Sequence, residues 1–475
     1  MEMNNEWLQY NSQGVKKMDK RQDQVLRTVR NTAVQIIYNV IEKGAYANLE
    51  LDKVLKRTAL PSGDRKMLTE MVNGTIRMLK HLDWVLSFFL NKSINKLNPW
   101  LKNILRAAVY QILFMDKVPG YAIVNEAVDL TQKKTNKNLS RVTNGVLRNI
   151  IRDQDRIKYP TDKIGFLSVY YSHPEWLVEY LIEYIGIKDT VDILQYNNQP
   201  GKVVLRTNLL QVSRDELLAK LKNEGIIGKI SDKTSWGILV EHLGTSIAET
   251  RSYKNGYYYI QNEASMLAAA ILNPDQNDII YDLCCGLGGK TTHLAEILMN
   301  NGHIEAFDIY ENKINLLKQN CTRLGINIIV GHKTDVLEID TAVADCDKVL
   351  LDAPCSGLGV LNRRADSRWH KNKDEITKLQ DIQIKLIQKA GEMVKENGLL
   401  LYSTCTITSE ENEDVVNSFL DANKEFVLQG FYEQISFFPL DAGDKSAASK
   451  GMLRILPGKY GTDGMFYALM RRRKS

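Results

Sequence analysis

Two cysteines have the residue type and the surroundings that covalent catalysis requires. Cys355 lies in LLDAPCSGLG and Cys405 lies in LLYSTCTITSEENE, and each follows a short apolar run that is typical of a buried strand. In an open α/β sheet, ligands bind beyond the carboxyl ends of the strands. Two thiols at strand ends would therefore meet over one pocket, although 50 residues separate them in the chain.

A glycine-rich turn predicts a cofactor site in the same sheet. The segment IIYDLCCGLGGKTTHLAE supplies a strand, a turn and the start of a helix, whose N–H groups can face a carboxylate or phosphate. It does not match G-x-x-x-x-G-K-[ST], so nucleotide hydrolysis is not expected. Asp308, at the end of the second strand, can accept both ribose hydroxyls, and Asp335, after the third, can reach an adenine amino group. Together with the thiols, these features predict a cofactor-dependent transferase.

The hydrophobic pattern predicts the elements that position these residues. From residue 256 to 475, strand-like runs alternate with helical ones, which indicates a doubly wound, mostly parallel α/β sheet. Residues 159–255 mix helical and strand patterns and predict a small α/β bridging domain. Residues 20–158 are helical throughout and predict an all-α domain, and residues 1–19 read as a disordered tail. The strand-like runs after residue 255 are IIYDLC, HIEAFDI, NIIVG, KVLLDA and GLLLYST.

The charge distribution indicates a nucleic-acid partner. Residues 20–158 hold 25 Lys and Arg against 12 Asp and Glu, a net charge of +13, whereas the whole chain carries +5. A domain this basic predicts a polyanion, most simply nucleic acid, with a solvated basic surface as the alternative. No run approaches the ~18 apolar residues that span a bilayer, and the N-terminus lacks a secretory pattern. We therefore expect a cytoplasmic protein without a membrane partner, most simply a monomer.

The cysteine spacing does not predict a metal site. All six cysteines lie between Cys284 and Cys405, and they form neither a C-x-x-C pair nor a zinc pattern. We expect no bound metal and no disulfide framework. Cys321 and Cys346 are expected to be small buried hydrophobic residues.

Several motifs carry a resemblance to a known family. DLCCGLGGKT, DAPCSGLG, STCTITSEENE and RILPGKYGTDGMFYA resemble the RNA cytosine-5 methyltransferases that use S-adenosylmethionine, in the expected order over residues 256–475. The basic helical part resembles the NusB family of RNA-binding domains, through RAAVYQILFMDKVPGYAIVNEAVDL and VTNGVLRNI. All three domains together resemble the bacterial Sun/RsmB enzymes, which methylate cytosine 967 of 16S ribosomal RNA. The resemblance implies a Rossmann-like class I methyltransferase domain with a seven-stranded sheet.

The resemblance also implies a set of cofactor contacts. Leu287 stands where the family usually has proline, which is expected to loosen the cofactor loop, and Asn262 stands where aspartate is commoner. The residues expected to contact S-adenosylmethionine are Cys284, Cys285, Gly286, Leu287, Gly288, Gly289, Lys290, Asp308, Asp335 and Asp352.

By the same resemblance, Cys405 is the nucleophile, although the residue pattern alone does not rank it above Cys355. A thiolate that adds to carbon 6 of cytosine makes carbon 5 nucleophilic. Asp352 would hydrogen-bond the N3/N4 edge of the base, and Cys355 would assist release of the product. Lys290 is a candidate source of the positive charge that a thiolate needs. Asn412 and Glu413 are expected to brace the nucleophile loop rather than react.

The reaction requires a base that is flipped out or unpaired, because a stacked base hides both faces of its ring. Candidate RNA contacts are Trp176 and Arg206 in the bridging domain and Arg363, Arg364 and Arg368 after the DAPC motif, with surface charge or core packing as the alternative for each. Two other functions stay open at this point. One is methylation of cytosine 5 in transfer RNA, and the other is a non-catalytic RNA-binding role in ribosome assembly.

Overall fold

The computed structural model describes residues 20–58, 60–116, 118–340 and 346–474, with side chains from residue 29 onward. The predicted disordered tail, residues 1–19, lies outside the described residues. The chain divides into two compact units, Met1–Tyr159 and Pro160–Ser475. Within the described ranges, no helix is long and apolar enough to cross a membrane.

The first unit is helical, as the sequence predicts. Its first helix buries Ala33, Ile36 and Ile37, which recur on one helix face. The Asn98 side chain caps the fifth helix by accepting the N–H of Trp100 at 2.9 Å, directly before a proline in the first turn. The helices of this unit are α1 (Lys20–Lys43), α2 (Ala47–Arg57), α3 (Ser62–Arg77), α4 (Leu79–Ser87), α5 (Pro99–Phe114), α6 (Gly120–Lys134) and α7 (Lys137–Arg152).

The second unit begins with a small mixed section around a four-stranded antiparallel sheet of order β2-β3-β1-β4. Gly186 has φ 81° and interrupts the long helix α9 (Glu175–Asn197), because glycine tolerates a positive φ. The fourth strand, β4, comes from beyond residue 255, the predicted end of the bridging domain. The elements are α8 (Lys163–Tyr170), α9 (Glu175–Asn197), β1 (Val204–Thr207), α10 (Arg214–Asn223), β2 (Ile226–Ile230), β3 (Gly237–Leu243), α11 (Arg251–Lys254) and β4 (Tyr258–Ile260).

A larger sheet forms the rest of this unit, with the strand order β10-β12-β9-β8-β5-β6-β7. An eighth strand, β11, pairs with β12 beyond the seven strands expected from the family. The elements are α12 (Glu263–Leu272), β5 (Ile279–Asp282), α13 (Gly289–Ile297), β6 (His303–Asp308), α14 (Glu311–Leu324), β7 (Ile329–Lys333), β8 (Cys346–Asp352), α15 (Ser367–His370), α16 (Lys373–Met393), β9 (Val394–Thr404), α17 (Glu413–Ala422), β10 (Phe426–Leu428), α18 (Ala442–Ser449), β11 (Met452–Ile455) and β12 (Met465–Arg472).

The strand order creates a switch point between β5 and β8. The chain runs outward from β5 through β6 to β7 and then returns to add β8 and β9 on the other side, and these five strands are parallel to one another. The strands β10, β11 and β12 join antiparallel. In such a sheet the ligand crevice lies at the carboxyl ends of the strands beside the switch point.

Helices cover both faces of the large sheet. Leu350 and Leu401 pack with α12, α13 and α14 on one face, whereas their neighbours Leu351 and Leu400 pack with α16 and α17 on the other. Strands buried on both faces lack the polar–apolar alternation of a half-exposed strand, which explains the continuous apolar runs in the sequence.

Candidate active site

The two thiols meet at the carboxyl ends of adjacent parallel strands. Cys355 follows β8 and Cys405 follows β9, and their Sγ atoms lie 3.3 Å apart. Both are half-buried free thiols. The Gly359 N–H donates to the Cys405 carbonyl at 2.9 Å, and a Cβ at Gly359 would lie 2.7 Å from that oxygen. The backbones of the two cysteine loops therefore approach so closely that only glycine fits at position 359.

The surroundings shift the pKa values of the two thiols in opposite directions. Either thiol can donate in the contact between the two sulfur atoms, and Cys355 is the donor when Cys405 is ionised. The hydrogen bond from Cys355, followed by the positive charges of Lys290 and Arg364, lowers the pKa of Cys405 below the ordinary thiol value against the opposing effect of burial. The same hydrogen bond and burial raise the pKa of Cys355. The pair can therefore hold a thiolate at Cys405 beside a neutral thiol at Cys355.

A lysine and a carboxylate stand beside the thiols. Lys290, in the first turn of α13, places its Nζ 2.6 Å from Oδ2 of Asp352 at the end of β8. The Ser403 hydroxyl donates to the other carboxylate oxygen of Asp352 at 2.9 Å. The Lys290 side chain is 10% exposed and that of Asp352 is 33% exposed, so the carboxylate faces the open side of the site. This pairing joins the predicted cofactor loop to the predicted base-binding carboxylate.

The glycine-rich turn connects β5 to α13. Gly288 has φ 85°, and a Cβ there would lie 2.3 Å from the Leu317 side chain, so the tight turn requires glycine. The Gly286 N–H donates to Asp308 at 3.2 Å, which ties the turn to the end of β6. Asp282, just before the turn, accepts from the Thr291 hydroxyl at 2.6 Å, and burial raises its pKa to about 7.

The remaining predicted cofactor residues line the same edge of the sheet. Asp308 accepts the Tyr310 N–H and the Lys313 ammonium, both at 3.0 Å, while exposed Asp335 caps a short turn after β7. Sequence reasoning missed two exposed apolar side chains near these carboxylates in the chain: Ile309 (49% exposed) directly follows Asp308, and Leu337 (41%) lies two residues after Asp335. Exposed apolar side chains can pack against the face of a flat ring while nearby carboxylates accept hydrogen bonds from its polar edge. Carboxylates can also attract a cationic group. The residues present are therefore compatible with a charged nucleoside cofactor.

The three remaining loop positions have distinct surroundings. Cys284 is half-buried and Cys285 is buried, and burial raises the pKa of both thiols, so neither resembles the reactive thiol at Cys405. Leu287, which replaces the family's usual proline, is 46% exposed, and its carbonyl accepts from the Asn320 side chain at 3.0 Å. A hydrogen bond thus holds the loop at the position where proline would stiffen it.

Two arginines proposed as RNA contacts take the alternative role of core packing. Arg206 and Arg368 are both fully buried. Arg206 forms an ion pair with Glu296 on α13 at 2.8 Å and donates to the Gly289 carbonyl at 2.5 Å. Arg368 donates to the carbonyls of Ser172 and Asn197 at 3.1 and 2.8 Å. These side chains cannot reach RNA, because the protein interior encloses them.

The other three candidates keep different degrees of exposure. Trp176 is half-buried and packs against the apolar cluster between α9 and the DAPC loop. Arg363 and Arg364 are both exposed, and Arg363 forms an ion pair with Asp463. Among the five candidate RNA contacts, Arg364 is thus an exposed arginine whose positive charge also lowers the pKa of Cys405.

The nucleophile loop is braced by residues that the sequence only partly indicated. Asn412 accepts the Thr404 hydroxyl at 2.6 Å and donates to the Thr406 carbonyl at 3.3 Å, on either side of Cys405. Glu413 instead accepts from the Tyr184 hydroxyl at 3.2 Å. Sequence reasoning missed Glu411, a buried carboxylate surrounded by hydroxyl groups, although Ser and Thr beside both cysteines offered a signal.

Among the residues that the structure describes, no group of three or more His, Cys, Asp or Glu side chains could hold a metal ion. The parallel sheet with its switch point, the glycine-rich turn after β5 and the acidic residue after β6 define a Rossmann-like class I methyltransferase domain. A small bridging domain and a helical domain precede it.

Comparisons with known proteins agree with that class and narrow it. The profile described as 16S rRNA methyltransferase RsmB/F matches residues 269–471, the NusB family profile matches residues 27–152, and a ferredoxin-like profile of RsmF/B-like methyltransferases matches residues 173–245. The probable ribosomal RNA small subunit methyltransferase B of Bacillus subtilis is 33% identical over 452 residues, covering 94% of this chain and 99% of that protein. The chain belongs to the family of ribosomal RNA small subunit methyltransferase B.

Two solved structures share the fold of this chain. The crystal structure of PH0851 superposes with a TM-score of 0.78 and 27% identity, covering 97% of this chain and 100% of that one. NSun6 from Pyrococcus horikoshii shares the fold with a TM-score of 0.56 and 24% identity, covering 64% of this chain and 99% of its own, and was solved with SFG, an analogue of S-adenosylmethionine. The methyl donor of the family is S-adenosylmethionine.

Proposed function

We propose that this protein transfers a methyl group to carbon 5 of a cytosine in 16S ribosomal RNA, through a covalent bond between Cys405 and carbon 6. The observation that carries the proposal is the pair of Sγ atoms 3.3 Å apart, at the strand ends beside the cofactor turn. Methyl transfer to a nitrogen or oxygen atom does not need a thiol. Carbon 5 of cytosine is too weak a nucleophile without one, because the aromatic ring holds its electrons.

Cys405 forms the first bond. Its thiolate Sγ attacks carbon 6, and the electrons of the carbon 5–carbon 6 double bond become available at carbon 5. Lys290 and Arg364 stabilise the thiolate before the attack, because both charges lower the pKa of Cys405. S-adenosylmethionine, when bound, supplies an electrophilic methyl group to carbon 5.

Asp352 and Lys290 orient the base. A carboxylate oxygen of Asp352 can accept from the N4 amino group of cytosine, and the Lys290 ammonium, 2.6 Å from that carboxylate, can donate to N3 or its neighbouring oxygen. As the thiolate adds, negative charge develops on this edge of the ring. The fixed Lys290 charge stabilises it without rearrangement.

Cys355 assists the release. The carbon 5 proton is lost to solvent, and the electrons of that carbon–hydrogen bond re-form the carbon 5–carbon 6 double bond. The carbon 6–sulfur bond breaks at the same time, and its electrons return to Cys405 as a thiolate. The neutral Cys355 thiol, which donates toward that sulfur at 3.3 Å, stabilises the departing thiolate. The raised pKa of Cys355, caused by its hydrogen bond to Cys405 and by burial, keeps the proton available for this bond.

The substrate is inferred from the relatives and from charge. The curated relatives that match 94% of the chain are named for the small ribosomal subunit RNA, and we propose the base equivalent to cytosine 967 as the target. In the first unit, α7 exposes Lys137, Arg141, Arg148 and Arg152, whose spacing places all four on one helix face. Such a basic stripe fits the phosphates of an RNA backbone.

Mass mapping of 16S ribosomal RNA tests the proposal. The protein is incubated with unmodified 16S RNA and labelled S-adenosylmethionine, and the nuclease fragments are sequenced by mass spectrometry. We expect one 5-methylcytosine with the wild type, none with Cys405→Ala, and normal methylation with Cys321→Ala, a buried cysteine on α14. Methylation of transfer RNA alone, or full activity of Cys405→Ala, would contradict the proposal.

A further inference from the structure

Glu411 is a carboxylate that is completely buried directly after the nucleophile loop. No Lys or Arg side chain bonds to it among the described residues, and its neighbours are hydrogen-bond donors without charge. A buried carboxylate is costly unless such donors compensate for lost water. These donors therefore explain why a buried charge on Glu411 is tolerated. They come from both cysteine loops.

The first group of donors belongs to the Cys355 loop. The Ser356 N–H donates to Oε1 of Glu411 at 2.7 Å, and the Ser356 hydroxyl lies 2.5 Å from Oε2. Gln383 on α16 extends the group, because its Nε2 contacts Oε1 at 3.2 Å and also donates to the Pro354 carbonyl at 2.8 Å. Glu411 thus holds the residues on both sides of Cys355.

The second group belongs to the Cys405 loop. The hydroxyls of Thr406 and Thr408 lie 3.1 and 2.8 Å from Oε2 of Glu411. The Thr406 and Ser356 hydroxyls are also 2.6 Å from each other, so the residues that follow the two cysteines are in direct contact. The Glu411 carbonyl accepts from the buried Tyr402 hydroxyl at 2.6 Å, which anchors the carboxylate to β9.

We infer that Glu411 is the positioning residue that holds Cys355 and Cys405 next to each other, an inference that rests on the proposed roles of these two thiols. One rigid carboxylate binds the residue after each cysteine, so the separation of the loops follows from its hydrogen bonds. Accurate placement of the two thiols matters for the reaction, because misplacement of a reacting group by about 1 Å can lower the reaction rate about 100-fold. The Glu411 charge also adds to the hydrogen bond and the burial that raise the pKa of Cys355.

The test measures the separation of the thiols without RNA or cofactor. Phenylarsine oxide condenses with two adjacent thiols, forming two As–S bonds and releasing one water with no change in oxidation state. Each protein is compared with its own Cys405→Ala counterpart, so that binding to the neighbouring Cys284 and Cys285 is subtracted. We expect Glu411→Gln to bind the arsenical at least about tenfold more weakly than the wild type. Asp414→Asn, which removes an exposed carboxylate three residues away, should bind it normally.

Measurements of kcat and KM on the same variants distinguish a positioning role of Glu411 from a general loss of structure. Glu411→Gln should lower kcat about tenfold or more, with the KM for RNA and the affinity for S-adenosylmethionine unchanged. Equal arsenical affinity and equal kcat for Glu411→Gln and the wild type would overturn the inference. If Glu411→Gln does not fold, Ser356→Ala and Thr408→Val decide, because each removes one hydroxyl from the carboxylate. Each should weaken arsenical binding about two- to fivefold, and normal binding by both would overturn the inference.

The two proposals can fail separately. If the wild type binds the arsenical through Cys355 and Cys405 but does not methylate cytosine, the proposed function is contradicted and the positioning role of Glu411 is not. If the wild type methylates cytosine and Glu411→Gln matches it in arsenical binding and kcat, only the positioning role of Glu411 is contradicted.

Discussion

Lys290 and Asp352 form an ion pair, 2.6 Å between Nζ and Oδ2, that spans the switch point of the sheet. Lys290 lies in the first turn of α13 after β5, and Asp352 ends β8, so the pair joins the cofactor turn to the loop of Cys355. The Asp352 charge raises the pKa of Cys405, and without Lys290 the neighbouring positive charge that opposes this effect would be lost. The ion pair therefore helps to keep the nucleophile ionised.

Removal of nearby positive charge should make Cys405 less reactive at neutral pH. The alkylation rate of Cys405 rises with pH as the thiol ionises, and its low pKa places that rise below the ordinary thiol range. Arg364→Gln should shift the curve to higher pH and slow iodoacetamide at pH 7 about two- to fivefold, and Lys290→Met should slow it more, because it also frees the Asp352 charge. Mass spectrometry of the Cys405 peptide measures the rate. An unchanged pH profile in both variants would show that these charges do not act on Cys405.

Loss of Cys355 should trap the protein on its RNA. We expect Cys355→Ala to attack carbon 6 and accept the methyl group, and then to stall, because the thiol that stabilises the departing Cys405 is missing. A positioned acid or base contributes about 10²–10⁴-fold, enough for the adduct to accumulate. A denaturing gel should show a slow band that RNase removes and that the added Cys405→Ala change abolishes. An adduct formed by Cys405→Ala instead would reverse the two roles.

Arg206 should stabilise the second unit and shape the cofactor loop. Arg206→Met leaves Glu296 buried without its partner, a change that costs about 3–5 kcal/mol in comparable buried pairs. The variant should unfold at a lower temperature and, because Arg206 also binds the Gly289 carbonyl, should bind S-adenosylmethionine more weakly. Adding Glu296→Gln should restore part of the stability. Thermal denaturation and calorimetry measure both effects, and an unchanged melting temperature would argue against a structural ion pair.

The basic face of α7 should supply RNA affinity without affecting the cofactor. Changing Lys137, Arg141, Arg148 and Arg152 together to glutamine should weaken RNA binding and reduce the slope of log affinity against log salt by about 3. Lys53→Gln with Lys56→Gln is the control, because both lysines are exposed in the same unit but lie on α2. It removes two charges rather than four, so the change in salt slope is compared per charge removed. Calorimetry should give the same affinity for S-adenosylmethionine in all variants. An equal change in slope per charge for the two sets would mean that α7 is only a solvated surface.

Local patterns in the sequence were sufficient for the architecture and for locating the two thiols, whereas the reaction assigned to them came from the family resemblance. Apolar runs of five or so residues, glycine at the turn after β5 and the cysteines directly after β8 and β9 all depend on neighbours in the chain, so the strand ends and the thiols could be located without a structure. The eighth strand, β11, was not expected, because a short edge strand has no strong pattern of its own.

Only the tertiary structure decided which polar side chains are enclosed. Arg206 and Arg364 are the same residue type and were both candidate RNA contacts, yet packing against α13 buries Arg206 completely, whereas Arg364 is exposed. Glu411 was likewise one of several acidic residues in EENE, and its importance depends on donors that include the N–H and hydroxyl of Ser356, 55 residues earlier in the chain. The chain alone specifies the strand ends at which the thiols lie. The 3.3 Å between their Sγ atoms comes from strand pairing and from buried donors that converge only when the sheet is formed.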